Sequence, residues 1–173
     1  DVSDLTYERQ RRQAALVLAL CEMAERHDID GVAMECWSLL PERYGISGCQ
    51  IVGQLCQRGL PCACEGDVLG AVTAVMMQAA ALDKEPVFFS DITSRHPEQD
   101  NTELLWHCGP YPPSLAHPDT PPKSTFHGRG AFQLKNGPIE RWSRFYGGEY
   151  EIRTRDLLHA CLLYTSDAAD DLT

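Results

Sequence analysis

The stretch Leu60-Pro61-Cys62-Ala63-Cys64-Glu65-Gly66-Asp67-Val68-Leu69-Gly70-Ala71 decides the reading of this chain. An apolar run ends on a carboxylate, a glycine breaks the chain direction, and an aspartate stands where a helix would begin. The pattern predicts a buried strand up to Glu65 and a helix from about Asp67 to Leu82. Asp67 is suited to cap that helix, because its short carboxylate can accept from free backbone N–H groups of the first turn. The helix is apolar on nearly every side, from Val68 and Leu69 through Val75, Met76 and Met77 to Ala81. Such a helix is expected to be buried on every side, between a sheet and a further domain or subunit.

Two further apolar runs end in the same way. Pro86-Val87-Phe88-Phe89-Ser90 leads to Asp91, and Leu104-Leu105-Trp106 leads to His107. As strands they would deliver Asp91 and His107, with Glu65, to one edge of a sheet. In open α/β sheets the carboxyl edge is where ligands bind. Two oxygen donors and one nitrogen suit a divalent ion such as Mn²⁺.

Upstream, residues 5–26 read as an amphipathic helix, with Ala14, Val17, Leu18, Cys21 and Ala24 at helical spacing and Ser3, Asp4 or Thr6 as cap. Val32 to Cys36 read as a strand, the segment around Pro41, Tyr44 and Gly45 as a loop, and residues 47–58 as a second helix stopped by Gly59. The order β-α-β-α-β-β predicts an α/β fold with a parallel sheet flanked by helices over residues 1–110. Residues 111–152 read as a proline-rich linker and the start of a small antiparallel β domain. Six prolines between residues 109 and 128 exclude a helix there. Asn136-Gly137 marks a hairpin, and Gly147-Gly148 a second. Residues 153–173 fit neither pattern. The string Cys161-Leu162-Leu163-Tyr164-Thr165-Ser166-Asp167-Ala168-Ala169-Asp170-Asp171 resembles translated adapter DNA, so this tail is expected to be non-native.

The bulk composition narrows the function classes. At 173 residues the chain is one domain or part of a larger one, and 43% hydrophobic with 23% charged is ordinary for a globular protein. A net charge of −10 argues against a nucleic-acid surface and against a polybasic membrane contact. No apolar run is long enough to span a bilayer. The eight cysteines fall mostly within apolar helix or strand patterns and form no CxxC pair. Buried reduced thiols in a cytoplasmic protein are therefore expected, and no structural zinc site. Neither GxGxxG nor a GKS/T loop is present, so nucleotide binding has no support.

The segments Cys62 to Ala71, Phe88-Phe89-Ser90-Asp91 and His107-Cys108-Gly109, with the later Phe132-Gln133-Leu134-Lys135-Asn136-Gly137-Pro138-Ile139, resemble the carboxyl-terminal part of the L-fucose isomerase and L-arabinose isomerase family. The likeness covers roughly residues 30–152, and the segment around Glu65 is its most specific part. It implies a fragment of a Mn²⁺-dependent aldose–ketose isomerase acting on a free sugar through an enediol; the apolar helix after Asp67 separately hints at a homo-oligomer in the full-length protein. It also implies that Glu65 and Asp91 act as catalytic and metal-binding carboxylates and that His107 is the third metal ligand. The family's large amino-terminal region and a histidine near its chain end have no counterpart here, so the chain alone is expected to be inactive. His127, in Phe126-His127-Gly128-Arg129-Gly130, and Trp106 are candidate sugar-binding residues. Trp37 and Trp106 each have a face that could stack on a sugar, with core packing the commoner fate of such side chains. A non-catalytic sugar-binding relative of the same fold is the alternative, and metal content separates the two.

Overall fold

The structure, a computed structural model, describes residues 6–95, 102–107, 109–116, 148–153 and 162–163. Helix α1 (Tyr7–His27) starts at Thr6, whose hydroxyl accepts from the Arg9 N–H at 3.3 Å, and ends where Asp28 turns left-handed with φ 54°. Strand β1 (Val32–Ala33) is followed by α2 (Leu39–Tyr44) and α3 (Cys49–Gln57). Strand β2 (Cys62–Ala63) leads into α4 (Val68–Ala80). Strands β3 (Phe88–Phe89), β4 (Asp91–Arg95) and β5 (Thr102–His107) come next, then a 3₁₀ turn (Pro113–Leu115), β6 (Gly148–Arg153) and β7 (Leu162–Leu163).

The fold is α/β. Strands β1 and β2 pair in parallel, Val32 opposite Cys62 and Ala33 opposite Ala63. The ladder runs past both ends: the Val32 N–H donates to Pro61 O at 2.8 Å and the Met34 N–H to Ala63 O at 3.0 Å. Helices α3 and α4 both pack on β2, and α1 packs on α3. The core lies between these layers, with Ile51, Val52 and Leu55 of α3 at 0% exposure beside Ala63, Cys64, Ala74 and Val87. At nine residues α3 is too short to hold itself in water. Each of its fully buried aliphatic side chains contributes about 1.5–3 kcal/mol, which outweighs the helix's weak propensity.

Three expectations change. The segment around Pro41 is helical as α2 rather than loop. Pro41 sits in the first turn, where a missing N–H breaks no intrahelical bond. The Glu35 carboxylate meets the free donors ahead of it: Leu39 N–H at 2.9 Å, and Trp37 and Ser38 N–H at 3.1 Å each. Gly45, at φ 64°, closes the helix by donating to Pro41 O at 3.1 Å. Antiparallel pairing also begins earlier than the sequence suggests. β4, β5 and β6 form an antiparallel sheet with Asp91 opposite Trp106 and His107 opposite Gly148. Residues 96–101 are too few for a parallel crossover, which needs a dozen or more. Helix α4, finally, is buried on one side rather than on all. Gly70, Ala71, Ala74 and Gln78 face inward, and Val68, Leu69, Val72 and Met76 are exposed.

Gly148–Arg153 pair with β5 across the sheet. The expected hairpin around Asn136-Gly137 lies outside the described residues, as does most of the tail. Leu162–Leu163 within that tail pair in parallel with Phe88–Phe89. The cysteines agree with expectation: Cys36, Cys49, Cys56, Cys62 and Cys64 are buried thiols outside any disulfide, and burial pushes the Cys56 thiol up to about 12. Among the described residues no helix is long and apolar enough to cross a membrane.

A close approach in the core gives a test. A Cβ on Gly53 of α3 would lie 2.5 Å from Tyr111 O and 2.8 Å from Tyr111 C, both backbone atoms. Alanine is the better helix former by about 1 kcal/mol. Forcing the Tyr111 backbone away costs more, on the order of 1–3 kcal/mol. Gly53→Ala should therefore lower the urea midpoint despite its propensity gain; a higher midpoint would show that the Tyr111 segment yields freely.

Candidate active site

The site is built from the ends of three strands. After β2 the chain turns through Cys64-Glu65-Gly66-Asp67. Glu65 has φ 61° and Gly66 φ 70°, and the Asp67 N–H closes the turn on Cys64 O at 3.0 Å. Two successive positive φ values are the mark of a primed turn. Glycine adopts this conformation freely, but in a residue with a Cβ it costs about 1–2 kcal/mol. The turn is fastened to the end of β1 by the Gly66 N–H donating to Met34 O at 3.1 Å. Asp67 caps α4 as expected, accepting from the Gly70 N–H at 2.8 Å. Glu65 is left at the carboxyl edge of the parallel pair, its side chain 37% exposed.

The Glu65 carboxylate meets two partners through one oxygen. Oε1 accepts from Trp37 Nε1–H at 3.0 Å and lies 3.8 Å from His107 Nε2. His107, the last residue of β5, is 3% exposed, and its ring meets Phe89 edge to face at 5.4 Å. Burial holds its pKa below the usual imidazole value, while the charges of Asp91 and Glu65 pull it back up. At neutral pH the ring is therefore neutral, one nitrogen carrying a proton and the other a lone pair. Asp91, half-buried at the start of β4, comes directly after the fully buried Ser90, whose hydroxyl is 3.3 Å from Tyr111 Oη.

The structure thus brings Glu65 and His107 together and places Asp91 where its charge acts on that imidazole. Two donors of one cation are separated by at most twice a bond length of about 2.0–2.2 Å, and the Glu65–His107 gap lies within that reach. Among the described residues no group of three His, Cys, Asp or Glu side chains is disposed to hold a metal ion. The Trp106 side chain and the whole of His127 lie outside the described residues.

Sequence reasoning missed Glu35, and for Trp37 it named a sugar-stacking face but favoured core packing. Trp37 is 70% exposed rather than packed in the core. The reason is local. Glu35 holds the backbone N–H of Trp37, Ser38 and Leu39, so the chain turns outward after β1 and carries the indole with it. Those bonds, that of Leu39 foremost, hold the Glu35 carboxyl below its usual pKa. The signal was available: β1 and β2 are parallel, so the residues just after β1 reach the same edge as Glu65. Cys36 belongs to this junction as well. Its pKa is lowered first by the Cys64 thiol, against burial, and then by the Glu65 N–H, which donates to its sulfur.

No family model matches the chain, and no solved structure matches it. It is similar to a protein named sulfoquinovose isomerase from Clostridium sp. (strain MSTE9), 33% identical over 105 residues, covering 61% of this chain and 23% of that protein. A sulfoquinovose isomerase of Priestia aryabhattai is 28% identical over 96 residues, 56% of this chain and 21% of its own length. One from Alkalicoccus urumqiensis is 26% identical over 110 residues, 64% of this chain and 24% of its own. The chain spans less than a quarter of the length of each of these relatives.

The left-handed turn predicts an unusual pair of stabilities. Glu65→Ala and Glu65→Gly both remove the carboxylate and its bond to Trp37. Only the glycine also relieves the backbone at φ 61°. Glu65→Gly should be the more stable by about 1 kcal/mol, read from urea midpoints. Equal midpoints would mean that the turn relaxes at no cost once the side chain is gone.

Proposed function

We propose that this chain carries part of the active site of an aldose–ketose isomerase that acts on a free sugar. The observation that carries the reading is the Glu65 carboxylate, held on a left-handed turn at a strand edge, 3.8 Å from a buried neutral imidazole. The similarity to proteins named sulfoquinovose isomerase supports the same reading from an independent side. It makes sulfoquinovose the first substrate to test, beside the L-fucose and L-arabinose type of sugar.

Isomerisation moves a proton between two adjacent carbons and adjusts the protons on their oxygens. A carboxylate within hydrogen-bond reach of the carbon-bound proton can take it from one carbon and return it to the next. Glu65 is open enough to meet a sugar, and its bond to Trp37 fixes how the carboxylate is rotated. Neutral His107 presents either an N–H or a lone pair toward the same oxygen pair. Asp91 supplies a second carboxylate that can handle the hydroxyl proton. Glu65 and His107, an oxygen and a nitrogen donor 3.8 Å apart, are the residues that would contribute to holding a divalent cation such as Mn²⁺, with Asp91 as the nearby second carboxylate and the remaining donors supplied by the full-length protein, since no three such side chains among the described residues are disposed to hold one. When bound, that ion would supply positive charge at the two adjacent sugar oxygens where negative charge develops.

The test belongs in a full-length protein carrying these residues, assayed for ketose formation and for solvent-proton exchange at the sugar's C2. Glu65→Gln and Asp91→Asn should each lower kcat by about 10²–10⁴-fold, the range for removing a positioned acid or base. Chelation should abolish turnover and Mn²⁺ restore it. Wild-type rates in Glu65→Gln would end the proposed proton-transfer role, and full activity after chelation would end the metal role. The isolated 173-residue chain should give no turnover above background, because a sugar needs walls that hold the reacting carbons in place. Robust turnover by that chain would show the site to be complete without further residues.

A further inference from the structure

Trp37 stands out among the exposed aromatic side chains because it is both open and fixed. It is 70% exposed. Its indole N–H donates to Glu65 Oε1 at 3.0 Å, and its backbone N–H donates to Glu35 Oε1 at 3.1 Å. The neighbouring Ser38 and Leu39 N–H groups bond to the same Glu35 carboxylate at 3.1 and 2.9 Å. Cys36, one residue earlier, is packed so tightly that a Cβ on Gly48 would come within 2.4 Å of its own. Leu40, three residues later, is buried. The loop is pinned on both sides of an indole whose polar edge is occupied and whose large surface is open.

An exposed indole at an arbitrary surface point would have no reason to be held by a carboxylate from another strand. Here that carboxylate is Glu65, and the oxygen that holds the indole is the one facing His107. The aromatic face carries negative charge density, which favours packing against the polarised C–H groups of a sugar. A platform already locked in place loses little freedom when a ligand lands on it, so binding is not weakened by ordering the wall. An apolar wall with a few convergent polar groups is also the usual make-up of a small-molecule site.

Resting on the isomerase reading above, we propose that Trp37 is a substrate wall and a positioning residue at once: its indole face stacks on the C–H face of the sugar, while its N–H sets the rotation of the Glu65 carboxylate. The two roles are separable. Trp37→Phe keeps an aromatic face and loses the N–H. Trp37→Leu stays apolar and loses both.

Two measurements decide it. In this chain, saturation-transfer NMR with millimolar sulfoquinovose and L-fucose should show magnetisation passing from aromatic protein protons to sugar C–H protons. The transfer should persist in Trp37→Phe and vanish in Trp37→Leu. In the full-length protein, Trp37→Phe should lower kcat about 10-fold with KM changed less than about 3-fold, and Trp37→Leu should also raise KM about 10-fold or more, tenfold being the step of one pKa-sized energy unit. Because the side chain is exposed, both variants should melt with the wild type, and Trp37→Phe keeps the test informative if the leucine variant folds poorly. Wild-type exchange at C2 with an unchanged KM in Trp37→Leu would overturn this inference and leave the isomerase reading standing. A wild type that neither exchanges the proton nor contacts sugar would overturn both. A leucine variant that alters oligomeric size with kcat and KM intact would show the indole to be a protein contact, and would also overturn the inference.

Discussion

Two residues in succession, Glu65 at φ 61° and Gly66 at φ 70°, carry the chain from β2 into α4, and the arrangement of the site depends on that turn. A strand feeding a helix through an ordinary extended loop would leave the carboxylate free to wander. Here the turn is closed by Asp67 N–H on Cys64 O and fastened to β1 by Gly66 N–H on Met34 O. The strained residue is the one with chemistry, and glycine stands one place later. Backbone strain of this kind persists only where the surroundings over-determine it, and it clusters at functional sites. The surroundings here are the parallel pairing of β1 and β2, the Asp67 cap on α4 and the buried Cys64.

The same constraint explains why some of the site was legible in the sequence. Glu65, Asp91 and His107 each come at the end of a short apolar run, and a buried strand must end somewhere near a polar residue. Reading the ends of such runs named the imidazole of His107 and the two carboxylates, Asp91 and Glu65, whose charges act on it. The sheet order was less legible, because periodicity does not distinguish parallel from antiparallel partners for runs this short. The six-residue interval 96–101 was the available clue that β4 and β5 return antiparallel. Helix α2 was hidden by Pro41, which breaks a helix interior but not a first turn.

Trp37 was misread for a different reason. Hydrophobicity ranks tryptophan as a core residue, and nothing in a local pattern says that Glu35 will cap the next three N–H groups and turn the chain outward. That information is carried by side-chain-to-backbone bonds over two to four residues, which compete with regular structure without altering the apolar count. The partner of the indole, Glu65, is 28 residues away and reaches it only because β1 and β2 pair in parallel. A contact of that range becomes visible once the strand pairing is known.

Burial separates the two sides of the site. Glu65 is 37% exposed and open to a ligand, whereas His107 is 3% exposed and kept neutral by the same core that holds Phe89. A charged imidazole at that depth would lose its hydration; the charges of Asp91 and Glu65 oppose that loss, and the desolvation prevails. The histidine therefore acts as a fixed dipole rather than a fixed charge, while the negative charge comes from the open carboxylate. Helix α4 repeats the asymmetry on a larger scale, with Ala71 and Ala74 packed inward and Val68, Leu69, Val72 and Met76 facing out. Its outer apolar face contributes nothing to the packing seen among the described residues. On the α4 side, the turn that orients Glu65 therefore takes its support from the capped amino end of the helix and from its inner face.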